Sequence, residues 1–387
     1  MDRGAPLYFD WAASAPLRDE ARAVLLEHLD PRFGPTIGNA SSLHSFGRAA
    51  QNALTVARRS IGVALGVGRD EVLFTGNGSE ANLLAVVGAA RALLPGRRHV
   101  LVTPIEHPSV LEPLEALAKA GEIELETLAV DREGRVDPDE VERRVRPATG
   151  LVSIMFANNE IGTIEPIAAI ARRMRTRHVL FHCDASQAVG KVAVQFAELG
   201  VDLLTASAHK FGGPRGVGIV LKRSDVALSS PLSSGRQEHG LRGGTEDVAA
   251  CAAAAAACVA AVAEQPQLAT RLAALTTDLR AALVRALPDV SLHSPERYGV
   301  PGLVTFSLRK CDGAWLVAAL DRFGVAVSHG AACASRAALP SHVLVAIGAG
   351  DAARGAVRIS MGRTTTRADL DSLLARLVRA ATDLARA

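Results

Sequence analysis

The sequence predicts an α/β protein, with a mostly parallel sheet covered by helices on both faces and a smaller α+β C-terminal domain. Three observations carry that prediction. Short apolar runs alternate with helical stretches through the middle of the chain. The runs are apolar almost throughout, as strands buried on both faces require. After Ala260 the pattern shifts to helices with a few short strands. The expected division is a large domain over 16–260, and a small domain made of 1–15 and 261–387.

In chain order the strand candidates are VLFTG (72–76), HVLVTP (99–104), LVSIMFAN (151–158), VLFHCDA (179–185) and DLLTASAHK (202–210). SEANLLAVVGAARALL and SVLEPLEALAKA are helical candidates between them. GLVTFSL, GVAVSH and AVRISMG are the short strands of the C-terminal part. Gly34, Gly38 and NASSLHS (39–45) mark an early irregular segment. Two long polar loops follow, PLSSGRQEHGLRGGTEDV (231–248) and VSHGAACASRAALPS (327–341). Loops of that length in a compact protein are usually functional or disordered. Ligands of open α/β sheets sit at the carboxyl ends of the strands, so the polar residues just after the runs come first in a search for chemistry.

Composition narrows the class. The chain has 387 residues, which at roughly 150 residues per domain suggests two domains. Hydrophobic residues are 49% and charged residues 21%, which argues against disorder. Lys plus Arg is 43 against 40 for Asp plus Glu, so the net charge of +3 gives little support to nucleic-acid binding. Five cysteines, at 183, 251, 258, 311 and 333, are too few for a disulfide scaffold. They form no C-x-x-C pair, so a structural zinc site is not expected. Their odd number leaves a free thiol and suggests a reducing compartment, the cytoplasm. The N-terminus lacks a secretory pattern. VAACAAAAAACVAAVA (248–263) is shorter than the ~20 residues that span a bilayer and reads as a packed helix, not a membrane segment.

Five stretches carry candidate chemistry. TGNGSEAN (75–82) follows a strand and opens a helix. Gly78 permits a tight turn, the helix start offers free N–H groups, and Ser79 adds a hydroxyl; together these suit a phosphate. Taken alone, the stretch reads more readily as an ordinary capped helix. In HCDASQAVG (182–190), Asp184 stands at a strand end, where a carboxylate can pair with a cationic ring nitrogen or cap the next turn. In SAHKFGGPRG (207–216), Lys210 is placed to form a Schiff base with a carbonyl cofactor, and Ser207 and His209 to serve a phosphate. The three together describe a pyridoxal 5'-phosphate (PLP) site. In IEHPSV (105–110), His107 can stack on a ring or transfer a proton. In ANNEIGTIEP (157–166), Asn158 can hydrogen-bond a phenolic oxygen.

These stretches, with YFDWAASAP, GNASSLHSFGR, RQEHGLRGGTEDV, CASRAALPSHVL and VRISMGRTTT, resemble the cysteine desulfurases of the NifS/IscS type, within the class V aminotransferases of PLP fold-type I. The likeness covers nearly the whole chain, in the family's order. It implies that Lys210 holds the cofactor, Asp184 faces the pyridine nitrogen, Gln187 and Asn158 lie on the phenolic side, and His107 stacks on the ring. Gly78, Ser79, Ser207 and His209 would hold the phosphate, with Thr245 reaching it from the partner subunit of a homodimer. Arg358 would clamp the carboxylate of L-cysteine, with Asn39 close to the same pocket.

Cys333 matches the family's nucleophile. It would take the substrate sulfur as a persulfide, release L-alanine and pass the sulfur to an acceptor or scaffold protein. Its thiolate would form by proton loss to His107 or to substrate. The loop around 327–341 fits the long IscS-like form. It departs from the family's usual wording at His329, Ala331, Ala334, Arg336 and Leu339. Cys183, Cys251, Cys258 and Cys311 read as packing or incidental residues. The same fold also serves selenocysteine lyases, other C–S lyases and aminotransferases. A non-enzymatic scaffold subunit is the alternative of another class. The acceptor's pathway, whether iron–sulfur cluster assembly, tRNA thiolation, DNA phosphorothioation or natural-product thiolation, is not written in the sequence.

Overall fold

The computed structural model describes residues 5–30, 37–93, 96–309, 311–330 and 340–386. A two-residue strand, β1 (Leu7–Tyr8), precedes the main sheet. That sheet holds β2 (Val72–Thr75), β3 (His99–Val102), β4 (Glu124–Thr127), β5 (Thr149–Ser153), β6 (Leu180–Asp184), β7 (Leu203–Ser207) and β8 (Gly218–Lys222). Their order is β2-β8-β7-β6-β5-β3-β4. The run from β4 to β7 is parallel, and β8 is antiparallel to both β2 and β7.

All five strand candidates of the large domain are strands, and the sheet is mostly parallel, as expected. β4 and β8 lie outside the strand candidates. β4 (ELET) is a half-exposed edge with a weak apolar signal. β8 (GIVLK) follows a glycine-rich turn directly and was absorbed into it.

Side chains of successive strand residues alternate between two apolar cores, which is how a sheet covered on both faces must pack. Leu204, Ile219 and Leu221 join one core, with the helices Ser45–Leu65 and Ile167–Thr176. Leu203 and Val220 join the other, with the helices Gly78–Ala92 and Pro108–Lys119.

A third core belongs to the C-terminal part. Here β9 (Val290–Leu292), β10 (Leu303–Leu308), β12 (Ser328–His329) and β13 (Ala356–Ser360) form an antiparallel sheet of order β12-β13-β10-β9. β11 (Val325–Ala326) pairs in parallel with β1, and Phe9 is buried in this core.

The expected boundary at 260 falls inside one continuous helix, Val248–Ala286. Its alanine-rich start, through Ala261, lies in the first core, and Leu268 to Leu283 lie in the third. Small side chains let the start approach the helix Ser45–Leu65 closely, whereas leucines carry the second half into the C-terminal core. The helix is long and apolar enough to pass a length-and-composition test for a membrane span. Its placement between two cores gives it another job, that of joining the domains.

Candidate active site

The carboxyl ends of the parallel strands gather the predicted residues. β6 ends in Asp184, which is buried. Its Oδ1 accepts from the Ser186 N–H at 2.9 Å and its Oδ2 from Asn82 Nδ2 at 2.8 Å. β7 ends in Ser207, and a single 3₁₀ turn, Ala208–Lys210, then carries His209 and Lys210. Lys210 Nζ donates to the carbonyls of Ala12 at 2.8 Å and Ala13 at 2.9 Å. Gln187 Nε2 donates to the same Ala12 carbonyl at 2.8 Å. His209 Nδ1 lies 3.2 Å from Ser14 Oγ, and burial with nearby Lys210 and Arg215 pushes its pKa down to about 4.

The segment after β2 is built to receive an anion. The side chain of Asn77 caps the helix Gly78–Ala92 by accepting from the Glu80 N–H at 2.8 Å. The N–H groups of Gly78 and Ser79 have no acceptor within the helix, as at any helix start. A Cβ on Gly78 would lie 2.7 Å from Ser207 Cβ and 3.0 Å from its Oγ, so only glycine brings the helix start against Ser207. Ser79 itself is exposed.

Thr245 is exposed on the protomer. Its loop is tied to the same end of the sheet. Arg242 Nε donates to Glu80 Oε1 at 2.8 Å. Glu238 accepts from Arg58 at 2.6 Å and from the Phe74 N–H at 3.0 Å.

The small domain contributes Arg358. β13 buries Val357 and Ile359 in its own core, so the two-residue period turns Arg358 the other way. The guanidinium is 2% exposed. Nη2 donates to Asp10 Oδ1 at 2.8 Å and Nη1 to the Asn159 carbonyl at 2.6 Å. Its Nε is buried with no hydrogen-bond partner among the described residues.

Two predicted residues are not visibly assembled with the rest. Asn39 is exposed, and its Oδ1 accepts from the Ser41 N–H at 2.8 Å. Asn158 is fully buried and serves its own turn, accepting from the Glu160 and Ile161 N–H groups and donating to the Ile105 carbonyl.

Cys333 lies outside the described residues, as do Ala331, Ala334, Arg336 and Leu339. The flanks of that stretch are placed. His329 Nε2 is 3.2 Å from the Arg354 carbonyl, and Ser328 pairs with Arg358 across the sheet. On the other flank, the Ser341 hydroxyl donates to Glu160 at 2.5 Å and His342 Nε2 meets the Glu106 carbonyl at 2.9 Å. The remaining thiols are poor nucleophiles. Burial raises the pKa of Cys183, Cys251 and Cys311, and lifts that of Cys258 to about 12.

Several contributors to the site lie outside the candidate residues. Asp10, Ala12, Ala13 and Ser14 form a wall of the site, although only the likeness of YFDWAASAP hinted at it. Lys191 is half-buried near Lys210 and donates to Gln187 Oε1. Burial and the charges of Lys210 and Arg358 bring its pKa down to about 7. Asn82 and Ser109 stood inside quoted motifs, yet the polar contacts that matter link different strands and helices and leave no spacing signal.

The sequence profile of the class-V aminotransferases matches residues 7–373. The chain belongs to the class-V aminotransferase family. It is 40% identical over 369 residues to the cysteine desulfurase IscS of Dictyoglomus turgidum, covering 95% of this chain and 92% of that one. Among solved structures, a NifS-like protein superposes with a TM-score of 0.90 at 31% identity, over 97% of this chain and 99% of that chain. The structure described as SspA in complex with cysteine superposes with a TM-score of 0.80 at 29% identity, over 93% and 100%. The fold is that of PLP fold-type I, and within the family the homology is to desulfurases of the IscS/NifS type.

Three features fit the cofactor of that fold type. The Gly78–Ser207 approach leaves helix N–H groups where a phosphate needs donors. Asp184 offers a buried carboxylate, already fixed by two donors, to a cationic ring nitrogen. Lys210 stands beside both, on the turn after β7.

Proposed function

We propose that this protein is a PLP-dependent cysteine desulfurase that converts L-cysteine to L-alanine and leaves the sulfur on Cys333 as a persulfide. The observation that carries the reading is the convergence of Lys210, Asp184 and the Gly78–Ser207 cradle at adjacent strand ends, in a chain homologous to desulfurases throughout its length. Bound PLP would supply an electron sink that labilises bonds at the substrate Cα and Cβ.

The chain's own residues supply the rest. Gly78, Ser79, Ser207 and His209 would hold the phosphate, with Thr245 from the second subunit. Asp184 would keep the ring nitrogen protonated. Gln187 and Asn158 would lie on its phenolic side; the tie of Gln187 to Ala12 and Lys191 fixes its amide for that contact. His107 would cover the ring. Lys210 Nζ, released from its hold on the Ala12 and Ala13 carbonyls, moves the proton taken from Cα. Arg358 would receive the substrate carboxylate, and its unpartnered Nε is the donor left over by Asp10 and Asn159. Asn39 would border that pocket.

The sulfur balance is closed without an external oxidant. One L-cysteine and one protein thiol give one L-alanine and one persulfide. The persulfide would then pass to an acceptor protein, with the enzyme acting as a cytoplasmic homodimer.

The test is to supply the loaded enzyme with L-cysteine and to follow both products. Alanine should appear with a persulfide on Cys333, and Cys333→Ser should lose both. Continued alanine release by that variant would favour another C–S lyase or an aminotransferase on the same fold.

A further inference from the structure

The hydrogen bonds behind Asp184 run without a break to His107, and they settle which ring nitrogen carries the proton. Asn82 is the junction. It is 2% exposed, in the helix Gly78–Ala92. Its Nδ2 donates to Asp184 Oδ2 at 2.8 Å and to Ser109 Oγ at 2.9 Å, and its Oδ1 accepts from the Thr205 hydroxyl. The orientation of this amide is forced, because a carboxylate only accepts and the NH₂ must therefore face Asp184.

Each further step follows from counting hydrogens. Ser109 Oγ accepts from Asn82, so its own hydrogen is available to His107 Nδ1, 2.7 Å away. The backbone N–H of Ser109 donates to the same Nδ1 at 3.1 Å. Two donors thus converge on one ring nitrogen, which must present a lone pair to both. A neutral imidazole has one N–H, so the proton of His107 is on Nε2.

The same count works on the other side of Asn82. The Thr205 hydroxyl donates to Asn82 and so accepts from His182 Nε2–H at 3.1 Å. His182 Nδ1 in turn accepts from the Ser153 hydroxyl at 2.8 Å. From Ser153 to Ser109, every side-chain polar hydrogen of this chain is used once.

Moving the His107 proton to Nδ1 would displace both donors. Protonating both nitrogens is opposed as well. The ring is half-buried at the start of the helix Pro108–Lys119, where desolvation, Lys210 and His342 oppose its charge more than Asp184 and Glu112 favour it.

We infer that Asn82 and Ser109 are positioning residues that lock His107 as its Nε2–H tautomer, so that His107 meets the reacting groups as a hydrogen-bond donor and not as the base for a thiol. That role rests on the desulfurase reading, whereas the tautomer itself is set by protein atoms alone. It removes one of the two routes expected for forming the Cys333 thiolate and leaves the substrate as the proton acceptor.

Long-range proton–nitrogen NMR on protein with ¹⁵N-labelled histidine tests this in the cofactor-free and the loaded enzyme. There are eleven histidines, and a His107→Gln variant assigns the signal. His107 should show an N–H at ε2 and a lone pair at δ1 in both states. Ser109→Ala removes the nearer donor, which is equivalent to a shift of about 2- to 13-fold toward Nδ1–H for one net hydrogen bond. Asn82→Ala should shift the ratio in the same direction, and Ser109→Thr should restore it. A wild-type His107 protonated at Nδ1 overturns the inference. So does a shift under 2-fold in both alanine variants.

The two readings fail separately. If the Nε2–H tautomer is found but L-cysteine yields no alanine, the desulfurase reading falls and the lock stands. If alanine forms while His107 is Nδ1–H, the lock falls and the desulfurase reading stands.

Discussion

The large-sheet wall of the site and the small-domain wall obtain their polar groups by different routes. The large sheet places Asp184, Ser207 and Lys210 at the ends of neighbouring parallel strands, and buries behind them a chain of Asn82, Thr205, His182 and Ser153 in which every member is hydrogen-bonded. The small domain packs an apolar core and reaches the site through the buried Arg358 and the short N-terminal segment Asp10–Ser14. Parallel strands aim many side chains at one edge, whereas an antiparallel sheet with one buried face has only its other face to offer. The large-sheet wall should therefore fail chemically when one group is lost, and the small-domain wall mechanically.

The sharpest contrast comes from Lys210→Ala. Loss of the amine proposed to move the Cα proton should lower alanine formation by at least about 10²-fold while the fold persists, as judged by unchanged urea unfolding. A full-rate variant would remove Lys210 from the chemistry and break the account of the first wall. On the other side, Leu279→Ala should destabilise the small domain by about 2–5 kcal/mol, because Leu279 is fully buried in its leucine-lined core. Urea unfolding should then show the small-domain transition moving first.

The third contrast uses pH. Burial holds His182 neutral, with its pKa pushed down from 6.5 to about 4. Between those values the unfolded chain binds the proton and the native chain does not. Stability is thus complete above about pH 6.5 and is lost as pH falls toward 4, by on the order of 3 kcal/mol for this one group. Urea midpoints measured across that window should fall with pH, and His182→Gln should flatten the slope. An equal slope in the variant would show that the chain behind Asp184 does not govern acid sensitivity.

The smallest effect belongs to the loop that carries Thr245. Arg242→Ala breaks a part-exposed pair with Glu80 and should cost about 1 kcal/mol or less in stability. Its larger consequence should be weaker PLP retention, read by dialysis, since the proposed function has the same loop bring Thr245 to the phosphate of the second subunit.

Much of this was legible in the chain. The five runs became strands because unbroken apolar segments of that length fit only a sheet covered on both faces. Asp184, Ser207 and Lys210 were legible because they end those runs, and a parallel sheet collects such ends by construction. β4 was missed because half-exposed edge strands need little apolar content. The helix Val248–Ala286 was underestimated because its leucine half and its alanine half read as different elements.

The sequence by itself determined the fold class, the family likeness and the identity of the residues with reactive side chains, since each is encoded in local periodicity or in a contiguous motif. Only the tertiary structure decided which of them are coupled. Asp10 meets Arg358 across 348 positions, and Asn82 meets Asp184 across 102. The proton of His107 is placed by Ser109 and, through it, by a residue 27 positions from Ser109 on another helix. Such contacts arise because buried polar groups must find partners wherever packing brings them, and packing brings together residues that the order of the chain keeps apart.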